Sequence, residues 1–393
     1  MKNILFITWD GPQTSYMEGL FMPIFSEIQK QNPQWKFHVI QFTWGDSERI
    51  AITQKIAVEL GVEYQAFPIV RRPIPTIGSF ISLWGGASKI KKYIEAHQID
   101  ILMPRSTFPA YMVNQLKNFQ GKIIFDADGL PIEERVDFAG LKKGSAMYSF
   151  LKNIETNMLR KADAVITRSQ KAIDIHIEQL GEAFRHSFSV VFNGRDAEKF
   201  SVNEEWRETA RKELGVQDEI LFVYAGSLGP QYCMEEMLEI FRISERAKFL
   251  ILTGNPEFAE KHIPEDLRER IEVKKVPSDE VPFWLNAGDI AFGLRQPTYS
   301  MQGVAPIKLG EYLLCGIPVI ASKGIGDSEE ILINFEESYL YDHKSGIKDN
   351  LKEIKKFLEN AKFADRNKIR EKALTYFSLE AAAESYIKVI QKL

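Results

Sequence analysis

Short apolar runs alternate with longer amphipathic segments along most of the chain. In the first half, strands are predicted at 3–8, 36–42, 63–67, 99–103 and 122–125 and once more between 160 and 169, with helices near 16–31, 48–60 and 153–159. The pattern restarts in the second half, with strands at 220–225, 249–253, 272–276 and 289–294 and helices between them. Strands that alternate with helices predict parallel sheets with helices on both faces, so the fold class is α/β and doubly wound.

The restart of the pattern predicts two domains. The turn Asn193-Gly194-Arg195-Asp196 is followed by the polar run 199–211, and Asn-Gly is a strong turn signal. We therefore expect a first domain at 1–200 and a second at 201–376, which are ordinary sizes for domains in a chain of 393 residues.

The amino-acid composition limits the classes of protein to which the chain can belong. Hydrophobic residues make up 45% of the chain and charged residues 26%, which is typical of a globular protein in water, and the net charge of −4 gives no general attraction to nucleic acid. Two cysteines, Cys233 and Cys315, form neither a disulfide framework nor a metal-ligand spacing. We expect a cytoplasmic protein without a signal peptide or a membrane span.

The segment 305–322, APIKLGEYLLCGIPVIAS, has the most informative spacing. Pro306 suits the first turn of a helix, Gly316 its C-terminal end, and 319–321 a buried strand. Lys308 and Glu311 share one face near the helix N-terminus, where a lysine and free N–H groups favour a phosphate and a carboxylate can accept from a diol. The spacing fits an ordinary exposed Lys–Glu pair equally well.

The pattern P-x-K-x-x-E-Y-x-x-x-G-x-P-V-I-A resembles the donor-nucleotide motif of retaining GT-B glycosyltransferases of the family 4 type. The resemblance implies the GT-B fold, two Rossmann-like domains facing a central cleft, with the acceptor in the first and a nucleotide-sugar in the second. It implies that Glu311 binds the ribose of the donor and that segment 377–393 is a helix packed back on the first domain. It also implies no cofactor and no metal, with a UDP-sugar as the expected donor.

The chain departs from the family pattern where the donor diphosphate is normally held. The glycine turn that begins at Gly226 is expected to contact the donor, but the arginine and lysine usual here fall on Ser227 and Tyr232. A leaving diphosphate needs cationic stabilisation. We expect Lys308 and Arg295 to supply it.

Other donor contacts follow from the resemblance. The backbone near Val276 is expected to contact the base. A glutamate common in relatives is Gly303 here, which suggests that Gly303 and Val304 contact the donor through their backbone. The turn Gly324-Ile325-Gly326 with Glu329 resembles the family's G-x-x-E loop, and is also compatible with a simple turn.

Two stretches in the first half suggest acceptor contacts. Asp126 and Asp128 follow a predicted strand, where such residues are commonly turn and capping residues, and Asp128 is expected to contact an acceptor hydroxyl and not to bind a metal. The loop between Trp9 and Ser15 is the second candidate, with a plain connecting turn as the alternative.

Residues 71–92 combine basic residues with apolar ones and contain no acidic residue. Such a composition can bind an anionic membrane surface, and many relatives use lipid-linked acceptors. We therefore expect a possible peripheral contact with the inner face of the plasma membrane through 71–92; the alternative is a loop and a solvated helix end.

Together these features predict a retaining, metal-independent hexosyltransferase that moves a sugar to a glycan or lipid-linked acceptor in surface polysaccharide or glycolipid biosynthesis. Lys308, Glu311 and Asp128 are its expected catalytic residues. Two alternatives stay open at this point. One is a non-catalytic subunit that binds nucleotide-sugars, and the other is a sugar-nucleotide epimerase with the same fold.

Overall fold

The computed structural model describes residues 1–11, 15–72 and 75–393, and the side chains from residue 78 onward in the last range. The first sheet in these residues is parallel, with strand order β3-β2-β1-β4-β5-β6-β7. Its strands are β1 (Lys2–Asp10), β2 (Trp35–Thr43), β3 (Glu63–Pro68), β4 (Ile101–Pro104), β5 (Lys122–Asp126), β6 (Ala164–Thr167) and β7 (Phe188–Val190).

Helices connect these strands. They are α1 (Met22–Gln31), α2 (Ser47–Glu59), α3 (Pro75–His97), α4 (Thr107–Asn114), α5 (Pro131–Phe138), α6 (Ala146–Lys161) and α7 (Gln170–Leu180), together with a π-helical turn at Met17–Phe21 and a 3₁₀ segment at Glu182–Ser187. Continuous apolar runs such as Ile4–Ile7 are fully buried, as expected for strands covered by helices on both faces.

The second sheet is also parallel, with strand order β10-β9-β8-β11-β12-β13. Its strands are β8 (Leu221–Ala225), β9 (Lys248–Leu252), β10 (Ile271–Lys274), β11 (Ile290–Gly293), β12 (Val319–Ser322) and β13 (Tyr339–Tyr341). The order reverses between β8 and β11, the position at which doubly wound sheets bind ligands beyond the carboxyl ends of their strands.

The remaining helices surround the second sheet and end the chain. They are α8 (Glu204–Glu213), α9 (Met234–Arg242), α10 (Pro256–His262), α11 (Val281–Asn286), α12 (Ile307–Leu314), α13 (Ser328–Leu332), α14 (Gly346–Ala361), α15 (Arg366–Phe377) and α16 (Leu379–Ile390), with 3₁₀ turns at Pro230–Tyr232, Glu265–Arg270 and Ser300–Gly303. No helix among the described residues is long and apolar enough to cross a membrane.

The chain divides into two compact units. Unit 1 contains Met1–Asn193 and Ala382–Leu393, and unit 2 contains Gly194–Ala381. The division falls at Gly194 because the backbone N–H of Arg195 donates to the carbonyl of Phe377, which attaches the segment after the Asn-Gly turn to unit 2. Most of α16 belongs to unit 1, and its serine Ser385 accepts from the N–H of Phe192 there.

Candidate donor site

The helix predicted from the 305–322 pattern is α12, and its two polar residues have separate partners. Pro306 flanks the helix in an extended conformation, and Gly316 adopts a φ of +68° just past its end. Lys308 is only 8% exposed and donates from Nζ to the hydroxyl of Tyr224 at 2.8 Å. Glu311 bonds instead to Arg195. The exposed Lys–Glu pair is therefore not what the structure shows.

Burial is the main influence on the pKa of Lys308. Desolvation lowers the pKa of its ammonium well below the ordinary value of 10.5, and the nearby Arg295 guanidinium lowers the pKa further, whereas Glu311 acts in the opposite direction. Among the described residues, this ammonium donates to a neutral tyrosine and forms no ion pair with a carboxylate. An anion placed beside it would stabilise its charged form.

Arg295 lies beyond the carboxyl end of β11 and joins Lys308 around one aromatic ring. The ring of Tyr232 has the Arg295 guanidinium 5.1 Å from its centroid and the Lys308 ammonium at 4.7 Å. Nε of Arg295 is buried without a hydrogen-bond partner among the described residues. Two cations thus converge on the position where the family pattern has a lysine and this chain has Tyr232.

The glycine turn after β8 borders the same cations. Gly226 has a φ of +145°, and a Cβ built there would lie 2.8 Å from Nζ of Lys308. Ser227 takes part through its backbone, since its carbonyl accepts from the Tyr224 hydroxyl that also accepts from Lys308. The turn therefore fixes Lys308 through Tyr224 and needs a glycine where the lysine passes.

Glu311 lies one turn further along α12 and is paired with a residue that the sequence reasoning did not single out. Nη2 of Arg195 donates to Oε1 of Glu311 at 2.5 Å, and the Arg195 guanidinium lies 5.0 Å from the ring centroid of Phe200. The N-G-R-D turn was the only signal that could have indicated Arg195, because it places an arginine directly after a tight turn.

The other predicted donor residues lie at the same edge of the second sheet. Val276 is half-buried after β10 and packs on the core of unit 2. Gly303 is buried at the end of the 3₁₀ turn, and Val304 donates its N–H to Met301. In the 324–329 turn, the carboxylate of Glu329 accepts from the N–H of Gly324 at 2.9 Å.

Unit 1 carries a second group of charged residues, at the carboxyl edge of its own sheet. Asp128 has a φ of +57° and accepts from Nη2 of Arg105 at 2.5 Å. Asp126 is fully buried and accepts from Arg168 at 2.7 Å and from the N–H of Asp128 at 3.1 Å. Both carboxylates of the D-x-D stretch are thus paired with guanidinium groups.

Asp10, at the end of β1, belongs to the same group. Burial raises the pKa of its carboxyl, with Arg105 acting in the opposite direction, and Thr8 donates to it at 2.7 Å. Asp10 begins the loop that the sequence suggested as an acceptor element, although residues 12–14 of that loop lie outside the described residues.

Part of the chain matches a known protein family. Residues 206–375 match the family model described as glycosyl transferases group 1. These residues therefore resemble a group 1 glycosyltransferase domain, and the chain has the GT-B fold. No curated protein matches the sequence.

Solved structures similar to this glycosyltransferase share its fold over the whole chain. They include Anabaena HepE in complex with UDP (TM-score 0.71, 15% identity, 100% of both chains). The sucrose-phosphate synthase of Thermosynechococcus elongatus has a TM-score of 0.73 at 16% identity and covers 100% of this chain and 99% of its own. WaaB, a lipopolysaccharide outer core galactosyltransferase in its apo form, has a TM-score of 0.67 at 14% identity over 100% of both chains.

The glycosyltransferase domain brings most of the predicted donor residues to one edge of its sheet. Gly226, Ser227, Arg295 and Lys308 are connected through the rings of Tyr224 and Tyr232, and Glu311 lies one helical turn from Lys308. Asp128 belongs to the separate group in unit 1. Sequence reasoning did not identify Tyr224 or Arg195 as part of the site. It also did not show that Lys308 and Arg295 both lie close to the ring of Tyr232.

Proposed function

We propose that this glycosyltransferase binds a UDP-sugar in unit 2 and moves the sugar, with retention, to a glycan or lipid-linked acceptor. The observation that most supports this proposal is that Lys308 and Arg295 both lie close to the ring of Tyr232. Glu311 follows Lys308 by one turn of α12. In the part of the chain that the structure describes, the buried Lys308 ammonium has no ion pair and Nε of Arg295 is buried without a hydrogen bond, and both groups are suited to a diphosphate. Solved structures with the same fold include one with UDP bound.

Each donor residue has a distinct part in this proposal. Lys308 and Arg295 hold the diphosphate and stabilise the charge that develops as it leaves. The Glu311 carboxylate accepts from the ribose hydroxyls, with Arg195 fixing its orientation. The backbone near Val276 contacts the base. Gly303 and Val304 present their backbone to the sugar, where a side chain would occupy space.

The chemical step in this proposal needs no base from the protein. The acceptor hydroxyl attacks the anomeric carbon on the face that the diphosphate leaves, its oxygen forms the new glycosidic bond, and its proton passes to the leaving diphosphate. Asp128 is proposed to accept from an acceptor hydroxyl and so to orient it. Charge neutralisation of the diphosphate comes from Lys308 and Arg295, and the proposed step uses no metal ion.

A screen of nucleotide-sugars by thermal shift, followed by calorimetry with UDP and the best ligand, tests the donor proposal. We expect saturable UDP binding that Lys308→Ala weakens together with turnover. If UDP and all UDP-sugars leave the melting temperature unchanged, the donor proposal is wrong. If UDP binds but no acceptor supports transfer or donor hydrolysis, the non-catalytic alternative gains support.

We also propose that unit 1 contacts an anionic membrane surface to reach a lipid-linked acceptor. Exposed apolar side chains from two helices form an apolar patch, defined as Phe80, Ile81, Trp84, Met147 and Phe150. The rings of Phe80 in α3 and Phe150 in α6 lie 6.4 Å apart, and Trp84 is 79% exposed. The bases of 71–92 and Lys142, just before α6, add positive charge to an apolar surface, a combination that suits anionic lipids.

A further inference from the structure

Three metal-ligand side chains converge at the start of α9. Cys233 precedes the helix in a left-handed conformation with a φ of +53°, and Glu236 lies in the first helical turn. His343 comes two residues after β13. One potential ligand atom from each residue lies within 4.8 Å of the other two, and Nδ1 of His343 is 3.6 Å from Oε1 of Glu236.

The far side of the imidazole is held by a polar partner. Nε2 of His343 lies 2.8 Å from Oγ of Ser322, and the same hydroxyl oxygen accepts from the backbone N–H of Arg295 at 2.9 Å. A hydroxyl oxygen can accept twice, so Ser322 is able to hold Nε2–H while Nδ1 binds a metal. Metal-ligating histidines are oriented in this way by a partner on their second nitrogen.

The spacing of the three groups suits a small tetrahedral ion. Metal–ligand bonds of about 2.0–2.3 Å put tetrahedral ligand atoms roughly 3.3–3.6 Å apart. The imidazole and carboxylate already have that separation, and the thiol needs only a side-chain adjustment. Cys233 is 5% exposed and its thiol lies 3.7 Å from Oε1 of Gln296, a long contact that leaves the sulfur weakly engaged.

We propose that Cys233, Glu236 and His343 bind one divalent transition metal of the zinc class. Thiolate, imidazole and carboxylate are the ligands that Zn²⁺ takes in proteins, and the fourth position is open to water or to the Gln296 amide oxygen. When the metal–sulfur bond forms, the Cys233 thiol loses its proton to solvent; Glu236 enters as the carboxylate and His343 as the neutral imidazole.

The site lies outside the residues proposed to touch the donor, yet it is connected to them. Cys233 follows Tyr232 directly, and Ser322 joins His343 to the backbone of Arg295. A bound metal would therefore restrain Tyr232 through Cys233 and the backbone of Arg295 through His343 and Ser322. The expectation of no metal came from the family resemblance and concerns the transfer step, in which this site does not take part.

Cobalt(II) gives a direct test on the full chain. The protein is prepared without a histidine tag, reduced, freed of metal with a chelator and titrated with CoCl₂. We expect a sulfur-to-cobalt charge-transfer band that saturates at about one ion per chain and disappears when ZnCl₂ is added. A band absent from the wild-type protein overturns the proposal, whatever the variants do.

Variants assign the ligands. Cys233→Ser should abolish the charge-transfer band, and His343→Asn should weaken Co²⁺ binding by about 10–100-fold. Cys315→Ser is the matched control, because Cys315 is the other buried cysteine and belongs to no such cluster among the described residues. A band that survives Cys233→Ser, or is lost in a folded Cys315→Ser protein, contradicts the assignment. Circular dichroism of each metal-free variant reports whether it is folded.

Discussion

Arg195 and Glu311 form an ion pair in unit 2, with 2.5 Å between Nη2 and Oε1. The two residues are 116 positions apart in the chain. Each side chain is mostly buried, so the pair is protected from solvent screening. The Glu311 carboxylate is also the group proposed to accept from the ribose hydroxyls of the donor. The pair therefore links the Asn-Gly turn to the proposed nucleotide contact.

Removing either member of this pair should weaken nucleotide binding. We expect Glu311→Gln and Arg195→Ala each to lower UDP affinity by roughly 10–100-fold, since a hydrogen bond to a charged group contributes about 1.5–3 kcal/mol. The double variant should lose less than the sum, because Arg195 acts through Glu311. Calorimetry measures all three. Arg185→Ala, which removes an exposed ion pair in unit 1, is the control and should leave affinity unchanged; strictly additive losses would contradict the coupling.

Lys308 should take up a proton when the diphosphate binds. Its pKa in the folded protein is lowered from 10.5, so above that lowered pKa the side chain is largely neutral, and an adjacent anion raises the pKa again. Calorimetry of UDP binding at alkaline pH, in buffers of different ionisation enthalpy, should show net proton uptake. The uptake should vanish in Lys308→Met. Uridine, which has no phosphate, should give no uptake with either protein; uptake with uridine would assign the proton to another group.

The same shift predicts a pH dependence of stability. Unfolding returns Lys308 to its ordinary pKa, so the unfolded state binds more protons between the lowered pKa and 10.5. The contribution of Lys308 to the free energy of unfolding therefore increases as pH rises through that window and is least favourable below it. Denaturant melts of wild type and Lys308→Met across this range should converge toward high pH. Parallel curves at every pH would argue against the shift.

Alanine variants at two glycines distinguish the effect of a contact with Lys308 from the effect of backbone strain. Gly226 and Gly229 have φ of +145° and +155°, but only at Gly226 would a Cβ meet Lys308, whereas at Gly229 it meets nothing within 4 Å. Both alanine variants should be destabilised by about 1–3 kcal/mol from strain. Only Gly226→Ala should also lose UDP affinity, because it displaces the ammonium. Thermal melts and calorimetry give the two readouts, and equal UDP affinities in both variants would remove the proposed role of Gly226.

The buried pair of Asp126 and Arg168 should be important for stability. Arg168→Leu leaves the Asp126 carboxylate fully buried with fewer partners, which is expected to cost about 3–5 kcal/mol in the free energy of unfolding. Lys122→Ala removes a partly exposed ion pair with Asp163 in the same unit and should cost less than about 1 kcal/mol. Urea titrations followed by circular dichroism compare them. Similar midpoints for both variants would show that the buried pair contributes little.

The membrane proposal depends on the apolar patch. Trp84→Ser should reduce co-flotation with vesicles that contain anionic lipid, since it removes the most exposed large side chain of the patch. Phe363→Ser is the matched control, because Phe363 is 87% exposed but belongs to unit 2. Binding should decrease as salt increases. No flotation of the wild type at low salt would exclude the contact.

The sequence alone determined the α/β class, the restart of the pattern in the second half, and α12 with its strand β12. These follow from local periodicity and from residues that act within a few positions, such as Pro306 and Gly316. The family resemblance was also carried by one continuous segment, and the group 1 match at 206–375 includes it. Local rules suffice where the partners are neighbours in sequence.

Tertiary structure decided which side chains meet. Tyr232 occupies a position where the family resemblance implies a cation, and only the fold shows that Lys308 and Arg295 approach its ring from two other segments. The pairing of Glu311 with Arg195, and of Cys233 and Glu236 with His343, likewise joins residues on separate turns and strands. Side-chain contacts across a sheet edge depend on strand order and loop paths. Those are set by packing of the whole unit, which local spacing does not encode.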